Sequence, residues 1–131
     1  MHIRKAVITA AGPGQRHLPL QTLVDRDGRS KTVLEILVAE AADAGAEAVA
    51  VVVAPGDEAR YAAAVRAPGA RLIFVVQPQP LGYAHAVACA REFVDGEPFL
   101  HLVGDHVYVS AGEPGCARRL VAVAQAEACA V

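Results

Sequence analysis

The sequence predicts an α/β fold of three layers, α/β/α, with helices on both faces of a mostly parallel sheet. Three observations lead there. Short, nearly continuous apolar runs recur at Ile3–Thr9, Ala46–Val53, Arg71–Val76 and Phe99–Val103, the pattern of strands buried on both faces. Helical signals fill the intervals between them, so consecutive strands are joined by crossovers and run parallel. The hydrophobic content is 54%, carried largely by alanine and valine with no tryptophan. That suits a core of small branched side chains between a sheet and its helices.

The first strand breaks into Ala10-Ala11-Gly12-Pro13-Gly14-Gln15-Arg16. Glycine admits dihedrals closed to other residues and lets amide N–H groups approach phosphate oxygens. Arg16 puts a guanidinium suited to bidentate phosphate contact at the loop's exit. A tight turn with a solvated arginine would look the same, because a lone glycine-rich loop is a weak signal. Pro19 argues against helix in His17–Val24, and Asp25–Ser30 is dense in turn formers. Ser30 can cap a helix whose apolar residues Val33, Leu34, Leu37, Val38, Ala41 and Ala42 recur at helical spacing, and Gly45 closes it.

The second strand, Ala46–Val53, is interrupted only by Glu47; Pro55-Gly56-Asp57-Glu58 then turns the chain into a short helix, Ala59–Arg66, ended by Pro68-Gly69. Arg71–Val76 is the third strand, and Gln77–Gly82 a rigid loop before a helix over Tyr83–Phe93. Asp95–Pro98 stops that helix ahead of the fourth strand, Phe99–Val103, which ends at Gly104-Asp105-His106. A last helix covers Pro114–Ala130. Ligands of parallel sheets bind beyond the carboxyl ends of the strands. The loops at Gly12–Arg16, Gln77–Gly82 and Gly104–His106 are therefore expected to converge on one crevice.

The chain has 131 residues, enough for one domain over its whole length and one core. A formal charge of −2 gives no reason to expect nucleic acid or a membrane surface as partner. Three cysteines, Cys89, Cys116 and Cys129, form no metal-type pairing and read as reduced thiols of a cytoplasmic protein. The basic N-terminus is followed by an apolar run that breaks at Gly12, too short for a signal peptide, and no run reaches membrane-spanning length. His85, His101 and His106 lack metal-ligand spacing, and nothing in the sequence marks an activating base for Cys116 as nucleophile.

Ala11-Gly12-Pro13-Gly14-Gln15-Arg16 is similar to the A/G-G-x-G-T-R loop of the sugar-phosphate nucleotidyltransferases. Gln77-Pro78-Gln79-Pro80-Leu81-Gly82-Tyr83-Ala84-His85-Ala86-Val87 resembles their base-recognition segment, and Cys89–Val94, Glu97–Phe99 and Gly104-Asp105 follow in matching order. Over nearly its whole length the chain resembles the N-terminal half of that family, especially the bacterial glucose-1-phosphate uridylyltransferases. The resemblance implies a Rossmann-like fold of the nucleotide-diphospho-sugar transferase type, truncated. It implies attack of a sugar 1-phosphate, glucose 1-phosphate favoured, on the α-phosphorus of a nucleoside triphosphate, UTP favoured, with release of pyrophosphate. The nucleotide-binding set it implies is Ala10, Ala11, Gly12, Gly14, Gln15, Arg16, Gln77 and Gly82. Arg16 and Asp105 would be catalytic, Asp105 as ligand of Mg²⁺.

The chain departs from the family pattern in three ways. Gln15 stands where the loop usually has Thr. The stretch Pro19–Asp25 lacks the family's phosphate-contacting lysine, and Lys31 matches a different lysine. The family's sugar-binding segments and second magnesium-binding aspartate have no counterpart before Val131. The expectation is a fragment of a longer protein or a short relative that self-associates as a homo-oligomer. Two further readings accompany it: a nucleotide-binding or regulatory module of little turnover, and a structural partner in a larger assembly.

Overall fold

The computed structural model describes residues 1–66 and 68–131. Its main sheet has four strands, β1 (Lys5–Thr9), β4 (Ala48–Val53), β5 (Arg71–Val76) and β6 (Phe99–Val103), all parallel, in the spatial order β5-β4-β1-β6. β1 is central, pairing Lys5 to Thr9 with Ala48 to Val52 on one side and Phe99 to Val103 on the other. The chain thus winds outward from β1 to β4 and β5, then returns to lay β6 on the opposite side of β1. Strand order reverses between β1 and β6, where the loops beyond the carboxyl ends diverge and leave a crevice.

Side-chain alternation sends the strands' residues to two cores. Ala6, Ile8, Val49, Val51, Val53, Leu100 and Leu102 pack with Leu34, Leu37, Val38 and Ala41 of helix α1 (Val33–Asp43) and with Ala117 and Val121 of helix α5 (Cys116–Glu127). Val7, Val52 and Val75 face Ala86 and Ala90, which belong to the segment of helices α3 (Tyr83–Cys89) and α4 (Arg91–Val94). All six residues of β4 are buried, as an uninterrupted Ala/Val run requires. Helices therefore cover both faces, and the three-layer architecture expected from the apolar runs is present.

Several local features differ from expectation. Thr32, not Ser30, caps α1: its hydroxyl accepts from the Glu35 amide at 3.0 Å while Glu35 accepts from the Thr32 amide at 2.9 Å. This reciprocal box satisfies two orphan amides where Ser30 could satisfy one. Ser30 instead sits in a hairpin of β2 (Thr22–Val24) and β3 (Ser30–Thr32), closed by the Asp25–Arg29 turn. A 3-10 turn, Leu18–Leu20, precedes that hairpin with Pro19 in its first turn. The helix expected over Tyr83–Phe93 is divided at Ala90, and the short helix after the second strand, α2, runs Glu58–Ala63. Among the described residues no helix is long and apolar enough to cross a membrane.

Candidate functional site

The three polar strand ends meet. A cleft of about 240 Å³ opens at the carboxyl edge of the sheet, floored by Thr9–Ala11 after β1 and by Val103–Asp105 after β6. Gly12, Pro13 and Gln15 wall one side; Gln77, Pro80, Gly82 and Tyr83 wall the other. Of the residues singled out in the sequence, Ala10, Ala11, Gly12, Gln15, Gln77, Gly82 and Asp105 line this space. Gly14 and Arg16 do not.

The floor is tight because two backbones nearly touch. The Gly104 amide donates to the Thr9 carbonyl at 2.8 Å. A Cβ built on Gly104 would lie 2.6 Å from that carbonyl oxygen and 3.1 Å from the Ala10 Cβ. Only glycine allows this approach.

The Gln77 wall is set by hydrogen bonds of an uncharged side-chain amide. Gln77 is buried at the end of β5, and its Nε2 donates to the Gly82 carbonyl at 3.2 Å and lies 2.9 Å from His85 Nδ1. A carbonyl only accepts, so the Gly82 contact fixes which end of the amide is nitrogen. Gly82 has φ +96°, a conformation that an L side chain resists, and its carbonyl also receives the Ala86 amide at 3.1 Å. Tyr83 borders the cleft with its ring edge-on to His101 at 5.1 Å and its hydroxyl 2.9 Å from His101 Nδ1. His101 Nε2 lies 3.2 Å from the Thr9 hydroxyl, so one imidazole joins the ends of β1 and α3. Burial holds the His101 pKa below its ordinary value and keeps the ring neutral.

The glycine loop is held from behind by α2, whose residues carried no functional signal in the sequence. The Tyr61 hydroxyl donates to the carbonyls of Ala10, at 3.2 Å, and of Arg16, tying the loop's two ends together. Burial, and after it the nearby Asp57 charge, push the Tyr61 hydroxyl up to about 12. The Arg16 guanidinium donates to Asp57 Oδ1 at 2.7 Å, and Arg60 donates to the same oxygen at 2.9 Å. Sequence reasoning missed Asp57 and Tyr61 because their partners lie 41 and 45 to 51 residues away.

Asp105 is a single carboxylate on the cleft floor, its Oδ1 2.7 Å from His106 Nδ1. Among the described residues no group of three or more His, Cys, Asp or Glu could hold a metal by itself. One carboxylate still fits Mg²⁺, which commonly takes one or two protein oxygens and completes its shell with phosphate and water. Lys31 donates to Asp25 at 2.7 Å and to Asp27 at 2.9 Å, and those two hydrogen bonds raise its pKa. It is committed within the hairpin.

A family model described as nucleotidyl transferase matches residues 5–129. The chain is 31% identical over 134 residues to the UTP–glucose-1-phosphate uridylyltransferase YngB of Bacillus subtilis (strain 168), covering 82% of this chain and 45% of that protein. It is 30% identical over 139 residues to a second UTP–glucose-1-phosphate uridylyltransferase of that organism, covering 86% and 47%. Among solved structures, the UTP-bound UGPase from Acinetobacter baumannii superposes with a TM-score of 0.78 at 26% identity, over 97% of this chain and 54% of that one. A UDP-glucose pyrophosphorylase complexed with UDP-glucose gives a TM-score of 0.77 at 23% identity, a likeness of fold, over 98% and 55%. The chain spans about half the length of the curated relatives it matches.

Proposed function

Because the chain belongs to the nucleotidyl transferase family, we propose that it binds a nucleoside triphosphate in the β1/β6 cleft and transfers the nucleotidyl group to a sugar 1-phosphate. UTP and glucose 1-phosphate are the favoured substrates, on the likeness to the two Bacillus subtilis uridylyltransferases. The observation that carries the reading is the convergence of the Ala10–Gln15, Gln77–Tyr83 and Gly104-Asp105 segments on one cleft.

The chemistry asks for positioning and charge neutralisation. An oxygen of the sugar phosphate, already an anion, forms a bond to the α-phosphorus, and the bond to the bridging oxygen breaks with pyrophosphate as leaving group. No protein base is required. Backbone amides around Ala11, Gly12 and Gly14 would cradle phosphate or ribose, and Gln77 with the Gly82 backbone would meet the base edge. Arg16 would take charge on the departing pyrophosphate. Mg²⁺, when bound to Asp105 and the phosphates, would neutralise charge on the reacting phosphoryl group.

Titration calorimetry with UTP, dTTP, GTP, CTP and ATP, each with and without Mg²⁺, tests the reading. Selective micromolar binding that Mg²⁺ strengthens is expected, followed by pyrophosphate release when glucose 1-phosphate is added. Asp105→Asn should abolish the Mg²⁺-dependent turnover and leave the melting temperature close to wild type; unchanged turnover removes Asp105 from its role. A second reading, a nucleotide-binding or regulatory module with little turnover, is favoured by the pairing of both Arg16 and Lys31 with carboxylates. Binding of one nucleotide without pyrophosphate release would select it.

A further inference from the structure

We propose that Asp57 is the counter-ion that holds Arg16 clear of the cleft in the free protein, and that an incoming triphosphate takes Arg16 from it while Arg60 stays to neutralise the carboxylate. The proposal rests on the nucleotidyl-transfer reading for its ligand. Asp57 acts through Arg16 and is a positioning residue.

The geometry of the carboxylate points this way. Asp57 occupies the residue before the first turn of α2, where an aspartate ordinarily caps the helix, yet its side chain makes no cap. It turns toward Arg16 and Arg60 instead, with a side chain only 5% exposed. The pair with Arg16 uses one of its two available bonds. Asp57 Oδ2 and Arg16 Nε are both buried without a hydrogen-bond partner, so the strong two-point fork between guanidinium and carboxylate is not made. A triphosphate, with several oxygens on one face, offers the fork that Asp57 does not.

Two features make the exchange feasible. Stripping the only cation from a buried carboxylate would be strongly unfavourable. Arg60, 41% exposed and bonded to the same Oδ1 at 2.9 Å, remains in place when Arg16 leaves. The Tyr61 hydroxyl meanwhile holds the Arg16 carbonyl, so the change is a side-chain rotation on a fixed backbone. Gln15, its neighbour in the chain, already lines the cleft, while the Arg16 side chain is one-third exposed.

The test measures the dissociation constant of UTP with Mg²⁺ for wild type, Asp57→Asn, Arg60→Gln, Arg16→Ala and the Asp57→Asn/Arg16→Ala double variant. Freeing Arg16 should make Asp57→Asn bind about tenfold tighter, the scale of one partly buried ion pair. Arg60→Gln, which leaves Arg16 as the only cation on Asp57, should bind several-fold weaker. In the Arg16→Ala background, Asp57→Asn should change nothing. Equal or weaker binding by a folded Asp57→Asn, or an effect that survives without Arg16, overturns the proposal. Should Asp57→Asn not fold, Arg60→Gln decides: unchanged or tighter binding overturns it and weaker binding supports it. If wild type binds UTP and the variants fail these signs, only the role of Asp57 falls. If neither wild type nor Asp57→Asn binds any of the five nucleotides, the nucleotidyl-transfer reading falls with it.

Discussion

On one side of the cleft the Ala10–Arg16 loop is tied from behind by α2, through the Tyr61 hydroxyl on two carbonyls and the buried Asp57 carboxylate on the Arg16 guanidinium. On the other side Gln77 props the Gly82 carbonyl through a neutral amide, and Tyr83 leans on a neutral, half-buried His101. The first wall is held by charge and by a hydroxyl of perturbed acidity; the second is held by groups with no net charge. Salt and an anionic ligand act on the first wall far more than on the second. On the proposed nucleotidyl-transfer reading, the first wall would meet phosphate with a side that exchanges partners, and the second would meet the base with a side that keeps its shape.

The contrast can be broken outright at the seam where the walls meet. Gly104→Ala would drive a Cβ to 2.6 Å from the Thr9 carbonyl oxygen, forcing β1 and β6 apart beneath both walls. A loss of about 3 kcal/mol is expected, read by urea denaturation, together with loss of nucleotide binding. A melting curve like wild type would mean that the seam is looser than its geometry.

Tyr61→Phe attacks the first wall alone. A buried and a part-buried carbonyl lose their shared donor, and about 2 kcal/mol of stability should go with it. The pH dependence sharpens this. The Tyr61 pKa in the fold, about 12, lies above its ordinary value of 10.0, so the fold favours the neutral phenol. That contribution is whole below pH 10 and is lost as pH rises toward 12. Wild type should destabilise across that interval relative to Tyr61→Phe; parallel denaturation midpoints for the two would contradict the assignment.

The smallest effect belongs to the second wall. Gln77→Ala removes one donor to the Gly82 carbonyl, which still receives the Ala86 amide. Stability should fall by only about 1 kcal/mol, while nucleotide affinity falls roughly tenfold and discrimination among bases narrows. Unchanged base preference in a calorimetric series would move base reading elsewhere.

The sheet was legible because its signals are local. Arg71–Val76 and Phe99–Val103 stand where the apolar runs put them, and Val33, Leu34, Leu37, Val38 and Ala41 are buried as their spacing requires. The β2–β3 hairpin was not legible: its strands are three residues each and Thr22–Val24 are exposed, so no burial pattern marks them. The convergence of three loops followed from parallel topology. The partner of Arg16 did not, because a buried aspartate 41 residues away reads in sequence as an ordinary acidic helix start. Local sequence shows what a loop can hold; only the fold shows what already holds the loop.

β1 hydrogen-bonds to a strand on each side, and Val7 and Ile8 at its middle are fully buried. Its amides can exchange with solvent deuterium only when the whole sheet opens, whereas Gly12 to Gln15 immediately beyond it are exposed. Slowly and rapidly exchanging stretches therefore sit within a few residues of each other, and motion at the cleft's mouth can proceed without loosening the strand that carries it.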